Sequence, residues 1–415
     1  MRPSRRLYDP VVGRARRCGA MGRKALVLAL GAVGLAGALT AAAFIAPNRA
    51  AAATPAYVPA DAATIVAHVP PRDPREVAER QALAAAPDRV ELAVELARAD
   101  IQRARALSDP RYLGRAQATL ARWWRDKLPP PDVLLLRATI EQSLHDFDAA
   151  RADLDQLIAV RPDDAQAHLT RAVVATVRAD YAAARESCNA VARLAPPIVA
   201  AACKAPLDAM GGHVADAYQA LARTLQQRTT PALRAWATTT LAELAIQRGD
   251  DAAAAVHLRD ILAFDPDDAY ARAALADVLI AEHDPAAASA LCKGFEQIDN
   301  LLVRRAIAEH AAHGPEAAAL AKLMHDRIAA AAERGDRVHQ REEAMFVLDV
   351  ENEPARALSI ARPNWQVQKE LADARLLVRA AVAAGDRDAA SPVLAWAKTN
   401  GITDAWLDAQ IARLR

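Results

Sequence analysis

Apolar and polar positions along this chain recur as a long unit, not as a simple period of two. The phrase Asp146-Phe147-Asp148-Ala149-Ala150-Arg151 returns 34 residues later as Asp180-Tyr181-Ala182-Ala183-Ala184-Arg185. Its small residue forms a ladder, Ala116, Ala150, Ala184, Ala217, Ala254 and Ala288, with steps of 34, 34, 33, 37 and 34 residues. A second ladder, twelve residues upstream, runs Ala138, Ala172, Ala205, Ala242 and Ala276. In a helical hairpin these two positions fall where the paired helices cross most closely, and only a small side chain lets the backbones approach there. Pro162, Pro196 and Pro266 close the units, and Asp163-Asp164-Ala165 and Asp267-Asp268-Ala269 follow the first and last of them. Proline cannot supply the next backbone donor of a helix, and the aspartates suit the positive N-terminus of the following one. The pattern predicts helix A, a short turn, helix B and a proline-terminated turn, repeated in series. Such a hairpin cannot cover its own apolar faces, so successive copies bury them against one another in an elongated solenoid.

These marks resemble the tetratricopeptide repeat, which places small residues at its eighth and twentieth positions and proline at its thirty-second. Units beginning near Pro131, Ala165 and Ala235 carry all three marks. Those beginning near Ile198 and Ala269 keep both alanines, with Thr229 and Asn300 where proline would stand. The resemblance is strong from about Asp88 to Asn300. Beyond it, Ala357 and Ala390 lie 33 residues apart, in Glu353-Pro354-Ala355-Arg356-Ala357 and Asp386-Arg387-Asp388-Ala389-Ala390, which predicts degenerate hairpins to the C-terminus. The resemblance implies an all-α fold, a right-handed α-solenoid of stacked hairpins, and a tetratricopeptide repeat protein of the bacterial cell envelope. The expected organisation is a basic flank at 1–24, a transmembrane anchor or signal peptide at 25–47, an Ala/Pro-rich linker at 48–73, the repeat solenoid at 74–300 and degenerate hairpins at 301–415.

Composition narrows this picture. Glycine is scarce, 15 of 415 residues, and period-two runs of valine, isoleucine and threonine are absent, so extended sheet is not expected. With only 4% aromatic residues, the core is expected to rest on many close alanine contacts and few large rings.

Residues 25–47 form an apolar run without a charge, preceded by Arg2, Arg5, Arg6, Arg14, Arg16, Arg17, Arg23 and Lys24. The run is long enough to span a bilayer, and the basic flank would stay in the cytoplasm. That predicts a single-pass inner-membrane protein with its solenoid in the periplasm. Small residues at Ala41 to Ala43 and Ala51 to Ala53 leave open the alternative of a cleaved signal and a soluble product. Met21 is an alternative start. Setting aside residues 1–24, which hold eight basic residues and Asp9, 44 basic and 50 acidic residues remain, a net of −6. A nucleic-acid binder needs the opposite balance, so none is expected.

Candidate chemistry is sparse. Cys188 and Cys203 stand almost equidistant from the Pro196-Pro197 turn, so their side chains should face one interface, as a disulfide in an oxidising compartment or as two packed thiols. Cys292 has no partner across its turn. His310 and His313 share a helical face, with His325 near in sequence, and could bind a metal only if a carboxylate joined them; a solvated surface is the expected reading. No P-loop, nucleophile elbow, zinc-binding helix motif or dinucleotide fingerprint occurs, and Gly211-Gly212 reads as a helix stop. No enzyme activity, cofactor, metal site or small-molecule substrate is predicted.

The resemblance puts helix A on the inner wall, which assigns Leu135, Thr139 and Gln142, then Gln166, Leu169 and Val173, then Trp236, Thr239 and Glu243, to or near a groove. That wall is mixed apolar and polar, with few charges. Family members that clamp a peptide carboxylate use lysine and asparagine at positions held here by Leu135, Thr139, Leu169 and Val173, so such a clamp is not expected. Trp236 and Tyr270 are the expected partner contacts, since flat amphipathic rings carry contact energy at low entropic cost. The expected function is a non-catalytic scaffold that presents its groove to a protein partner. A metal- or thiol-dependent periplasmic factor and a self-associating structural protein stand as alternatives.

Overall fold

The computed structural model describes residues 73–107, 109–333 and 340–414, and among them every regular element is helical. Four helices open the series: α1 (Pro74–Ala85), α2 (Val90–Leu107), α3 (Arg111–Thr119) and the short α4 (Ala121–Trp124). Hairpins follow in chain order: α5 (Pro131–Ser143) with α6 (Phe147–Val160), α7 (Ala165–Val177) with α8 (Tyr181–Leu194), and α9 (Pro197–Met210) with α10 (Val214–Thr224). Next come α11 (Pro231–Gln247) with α12 (Asp251–Phe264), α13 (Ala269–Ala281) with α14 (Pro285–Cys292), α15 (Asp299–Ala311) with α16 (Ala317–Glu333), and α17 (Gln340–Asp349) with α18 (Pro354–Val367). The series ends with α19 (Leu371–Ala384), a 3₁₀ turn at Arg387–Ala390, α20 (Ser391–Asn400) and α21 (Ala405–Ala412).

The recurring aspartate sets the hairpin. Asp146, Asp180, Asp250 and Asp284 cap the second helices, each side chain accepting from the amide three residues on, at Ala149, Ala183, Ala253 and Ala287. Asp164 and Asp268 do the same for α7 and α13. Each cap satisfies one orphan amide of a helix start and contributes about 1 kcal/mol. The residue before the cap reverses the chain in the left-handed region, with φ of 77° at Gly249 and 60° at Ala179.

All eleven alanines of the two ladders are buried, none more than 4% exposed, and Ala357 and Ala390 downstream are fully buried. Within each hairpin the two helices pack on one another, and most second helices pack on the first helix of the next hairpin. The first helices of most successive hairpins also touch, so they form an inner layer and the second helices an outer one.

The last hairpins turn back onto earlier repeats. The Trp396 indole donates to the Tyr181 hydroxyl at 3.0 Å, and the Lys369 amide donates to the Val177 carbonyl at 2.8 Å. Gln247 donates to the Thr403 carbonyl at 2.9 Å, and the Trp406 indole donates to the Asp251 carboxylate at 3.2 Å. One apolar core joins Tyr181, Cys188, Cys203 and Leu207 to Trp365, Trp396, Ile402 and Leu407. At Gly212, where φ is 85°, a Cβ would lie 2.8 Å from the Gly401 carbonyl oxygen, so the approach of these two turns requires glycine.

One expectation is corrected. Among the described residues no helix is long and apolar enough to cross a membrane. The longest, α2, has 18 residues and carries Glu91, Glu95, Arg98, Asp100, Arg103 and Arg105, whereas a span needs about 20 largely apolar ones. The inner-membrane placement with a periplasmic solenoid therefore has no support in the structure. The run at 25–47 lies outside the described residues, as do the flank at 1–24 and the linker up to residue 72.

Because Ala150 is fully buried in the core between hairpin helices, Ala150→Leu is expected to destabilise the chain by about 1–3 kcal/mol. Urea unfolding should show a lower midpoint than for Ala150→Ser, which preserves the small size.

Candidate protein-binding surface

The sequence-derived groove residues separate into two groups. Thr139 is buried, and its hydroxyl donates to the Leu135 carbonyl at 2.7 Å within α5, so it is not offered to a partner. Gln142 is half-buried near the end of the same helix. Gln166 is exposed, and its side chain donates to the Thr170 hydroxyl at 3.3 Å on its own helix. The second group is compact. Trp236, Thr239 and Glu243 recur at helical spacing along one face of α11, and the Tyr270 hydroxyl of α13 donates to the Glu243 carboxylate at 2.6 Å. Trp236 is 37% exposed and Tyr270 52%, and of the chain's exposed rings these two lie beside Glu243.

This surface is not the sparsely charged wall that helix A alone suggested. The turned-back hairpins bring Arg341, Glu370, Asp373 and Arg375 to the same space. Arg341 holds Asp373 through two hydrogen bonds of 2.7 and 2.6 Å and also pairs with Glu370; Arg375 holds Asp404 at 3.0 and 2.5 Å. Asn364 donates to Asp373 at 2.7 Å, fixing that carboxylate from a third side. Sequence reasoning missed these four residues because they lie about 100 residues beyond α11, and no local pattern signals that the chain turns back.

The charges of the facing hairpins reach both Tyr270 and Glu243. Desolvation pushes the Tyr270 hydroxyl well above its ordinary range, with the charges of Glu243 and Glu370 adding to the effect. Desolvation also raises the Glu243 carboxyl; the Tyr270 hydrogen bond opposes this, Glu370 reinforces it and Arg375 opposes it. Both side chains are open to water, yet protein surrounds them closely enough to weaken their hydration.

The remaining candidates resolve individually. Cys188 and Cys203 are joined by a disulfide with a Cα–Cα distance of 5.6 Å, inside the core that receives Trp396. Cys292 is buried, and desolvation pushes its thiol up to about 11, so it is a poor nucleophile. His325 accompanies Glu351 at 2.9 Å, away from the pairing imagined with His310 and His313. Among the described residues no group of three or more histidine, cysteine, aspartate or glutamate side chains could hold a metal ion. Near the start of the repeats, buried Arg137 holds Asp153 at 2.5 and 2.7 Å. Glu141, one turn along, has a buried Oε2 without a hydrogen-bond partner, and desolvation with the charge of Asp153 pushes its carboxyl up to about 7.

No protein-family model matches the sequence, and no curated protein matches it. Among solved structures, the chain is similar to PilW, described as a widely conserved type IV pilus biogenesis factor, at 16% identity over 49% of this chain and 96% of that one, with a TM-score of 0.40. It is similar to a tetratricopeptide repeat protein from Parabacteroides merdae at 15% identity, over 70% and 98% of the two chains, with a TM-score of 0.36. For the yeast protein Tom70 the values are 9%, 82% and 90%, and 0.31. Likeness of this order says nothing of function. The capped hairpins and buried alanine ladders themselves make the described residues a series of stacked helical hairpins.

Two outcomes follow for stability. Separating the cysteines, by reduction or as Cys188→Ser with Cys203→Ser, is expected to cost about 3 kcal/mol in the chain-entropy account, read as a lower urea midpoint than that of the oxidised chain. For Glu141, the folded chain holds the carboxyl neutral up to about pH 7, whereas the unfolded chain ionises near 4.5. Its favourable contribution is therefore full below 4.5 and is lost as pH rises through about 7. Glu141→Gln should raise stability by about 1–2 kcal/mol at pH 8 and leave it nearly unchanged at pH 4, measured by thermal melts at the two values.

Proposed function

We propose that this chain is a non-catalytic scaffold whose concave surface around Trp236, Thr239, Glu243 and Tyr270 holds a segment of a protein partner. The observation that carries this reading is the exposure of Trp236 and Tyr270 beside Glu243 on neighbouring inner helices. Large amphipathic rings held by a rigid scaffold are the side chains that most often dominate binding energy. Within the chain, the repeat units proper are assigned to 74–300, and the hairpins of 301–415 complete the concave surface from its far side. The absence of a nucleophile, base and oxyanion-donor constellation in the sequence motifs favours holding over catalysis.

The test is affinity capture of the tagged full-length chain from gently crosslinked native cells, compared with Trp236→Ala/Tyr270→Ala. Each truncation is expected to weaken a partner by roughly 2 kcal/mol, about thirty-fold, so specific partners should vanish from the double variant while its circular dichroism and melting stay those of the parent. Partners retained equally by both proteins would place the binding surface elsewhere.

A further inference from the structure

The charges around α11 are unequal in one respect. Both cations delivered by the facing hairpins are already engaged: Arg341 with Asp373 and Glu370, and Arg375 with Asp404. Glu243 receives a single neutral hydrogen bond, from Tyr270, and among the described residues no cation forms an ion pair with it. A second carboxylate, Glu370, adds its charge to the same space, and Arg375, already held by Asp404, opposes it. The position thus combines a carboxylate that has lost part of its hydration, two exposed rings and no ion-paired cation on Glu243.

We propose that the occupant of this surface is a basic segment of a partner protein, with a lysine or arginine side chain meeting the Glu243 carboxylate beside the rings of Trp236 and Tyr270. This rests on the scaffold reading above and names the chemistry of its partner. A carboxylate gains most from a cation where water solvates it poorly, because the attraction grows as the local dielectric falls and part of the desolvation has already occurred. Aromatic faces add to the hold on a cationic group. An acidic segment would instead meet two carboxylates, Glu243 and Glu370, while Arg375 and Arg341, the cations whose charges reach Glu243 and Tyr270, are already held by Asp404, Asp373 and Glu370. A purely apolar segment would desolvate Glu243 further without compensation. The net acidic charge outside residues 1–24 works in the same direction at long range, steering a basic partner toward the chain.

Fluorescence anisotropy with the full-length chain tests this directly, using a short labelled lysine–glycine peptide, its acetyl-lysine counterpart and its glutamate counterpart. The lysine peptide should bind. Acetylation or exchange to glutamate should weaken binding by at least about ten-fold, and Glu243→Gln should weaken the lysine peptide by about ten-fold, the size of one charge-assisted contact. Trp236→Ala should weaken it as well. Equal binding of the lysine and acetyl-lysine peptides, lost in Trp236→Ala, would overturn the cationic occupant while leaving the scaffold surface standing. Lysine-peptide binding indifferent to Glu243→Gln and Trp236→Ala would overturn this site by placing the contact on the general acidic surface. No binding by any of the three peptides would overturn the proposal, whereas partner capture dependent on Trp236 and Tyr270 judges the scaffold reading separately.

Discussion

Everything in this molecule depends on helices approaching closely enough to share a core that is poor in large side chains. The two alanine ladders make that approach possible. With a methyl group at each crossing, backbone packs near backbone, and many small dispersion contacts replace the few large rings that other cores rely on. The same economy explains the aspartate caps: a hairpin with a thin core has little energy to spare for orphan amides, and a capped start costs the sequence a single residue. The hairpins then stack in series, and residues 354–412 return onto 165–264 through the Trp396–Tyr181, Lys369–Val177, Gln247–Thr403 and Trp406–Asp251 hydrogen bonds.

That return changes what the inner wall is. Taken alone, the first helices offer a mixed surface with an isolated Glu243. With the last hairpins in place, the same surface faces Arg341, Glu370, Asp373 and Arg375, and the hydration of Glu243 and Tyr270 weakens although both remain open to water. The large rings the chain does possess divide accordingly. Trp365 and Trp396 meet edge to face with ring centroids 5.0 Å apart and hold the returning hairpins in place, while Trp236 and Tyr270 stay exposed. The disulfide between Cys188 and Cys203 lies in the core where the returning hairpins dock, so it secures the joint between α8 and α9 at the place that carries the added load.

The local architecture was legible in the sequence because its causes are local. A 34-residue recurrence, two alanine ladders and an aspartate before each second helix are direct physical requirements of a hairpin, and each is visible in one dimension. Ala357 and Ala390 announced the later hairpins in the same way. The composition of the concave surface was not legible. Thr139 occupies a groove position in the repeat frame, yet its hydroxyl turns onto its own helix, a choice that depends on the neighbours packed over it. Arg341 and Arg375 reach the surface only through the cumulative curvature of several hairpins, which no single repeat encodes. The single-pass placement failed for a different reason: it rested on an apolar run outside the described residues, and no described helix supplies a span.

The account stands on the return of the C-terminal hairpins, and amide hydrogen exchange of the native chain tests it most directly. The Lys369 amide lies outside any helix and donates to the Val177 carbonyl, nearly two hundred residues away in sequence, at 2.8 Å. If the return is real, that amide exchanges as slowly as the interior amides of α7 and α19, because it opens only when the shared core opens. Exchange at the rate of an unprotected amide, with α7 still protected, would mean that the last hairpins are not docked and that the concave surface lacks its facing charges.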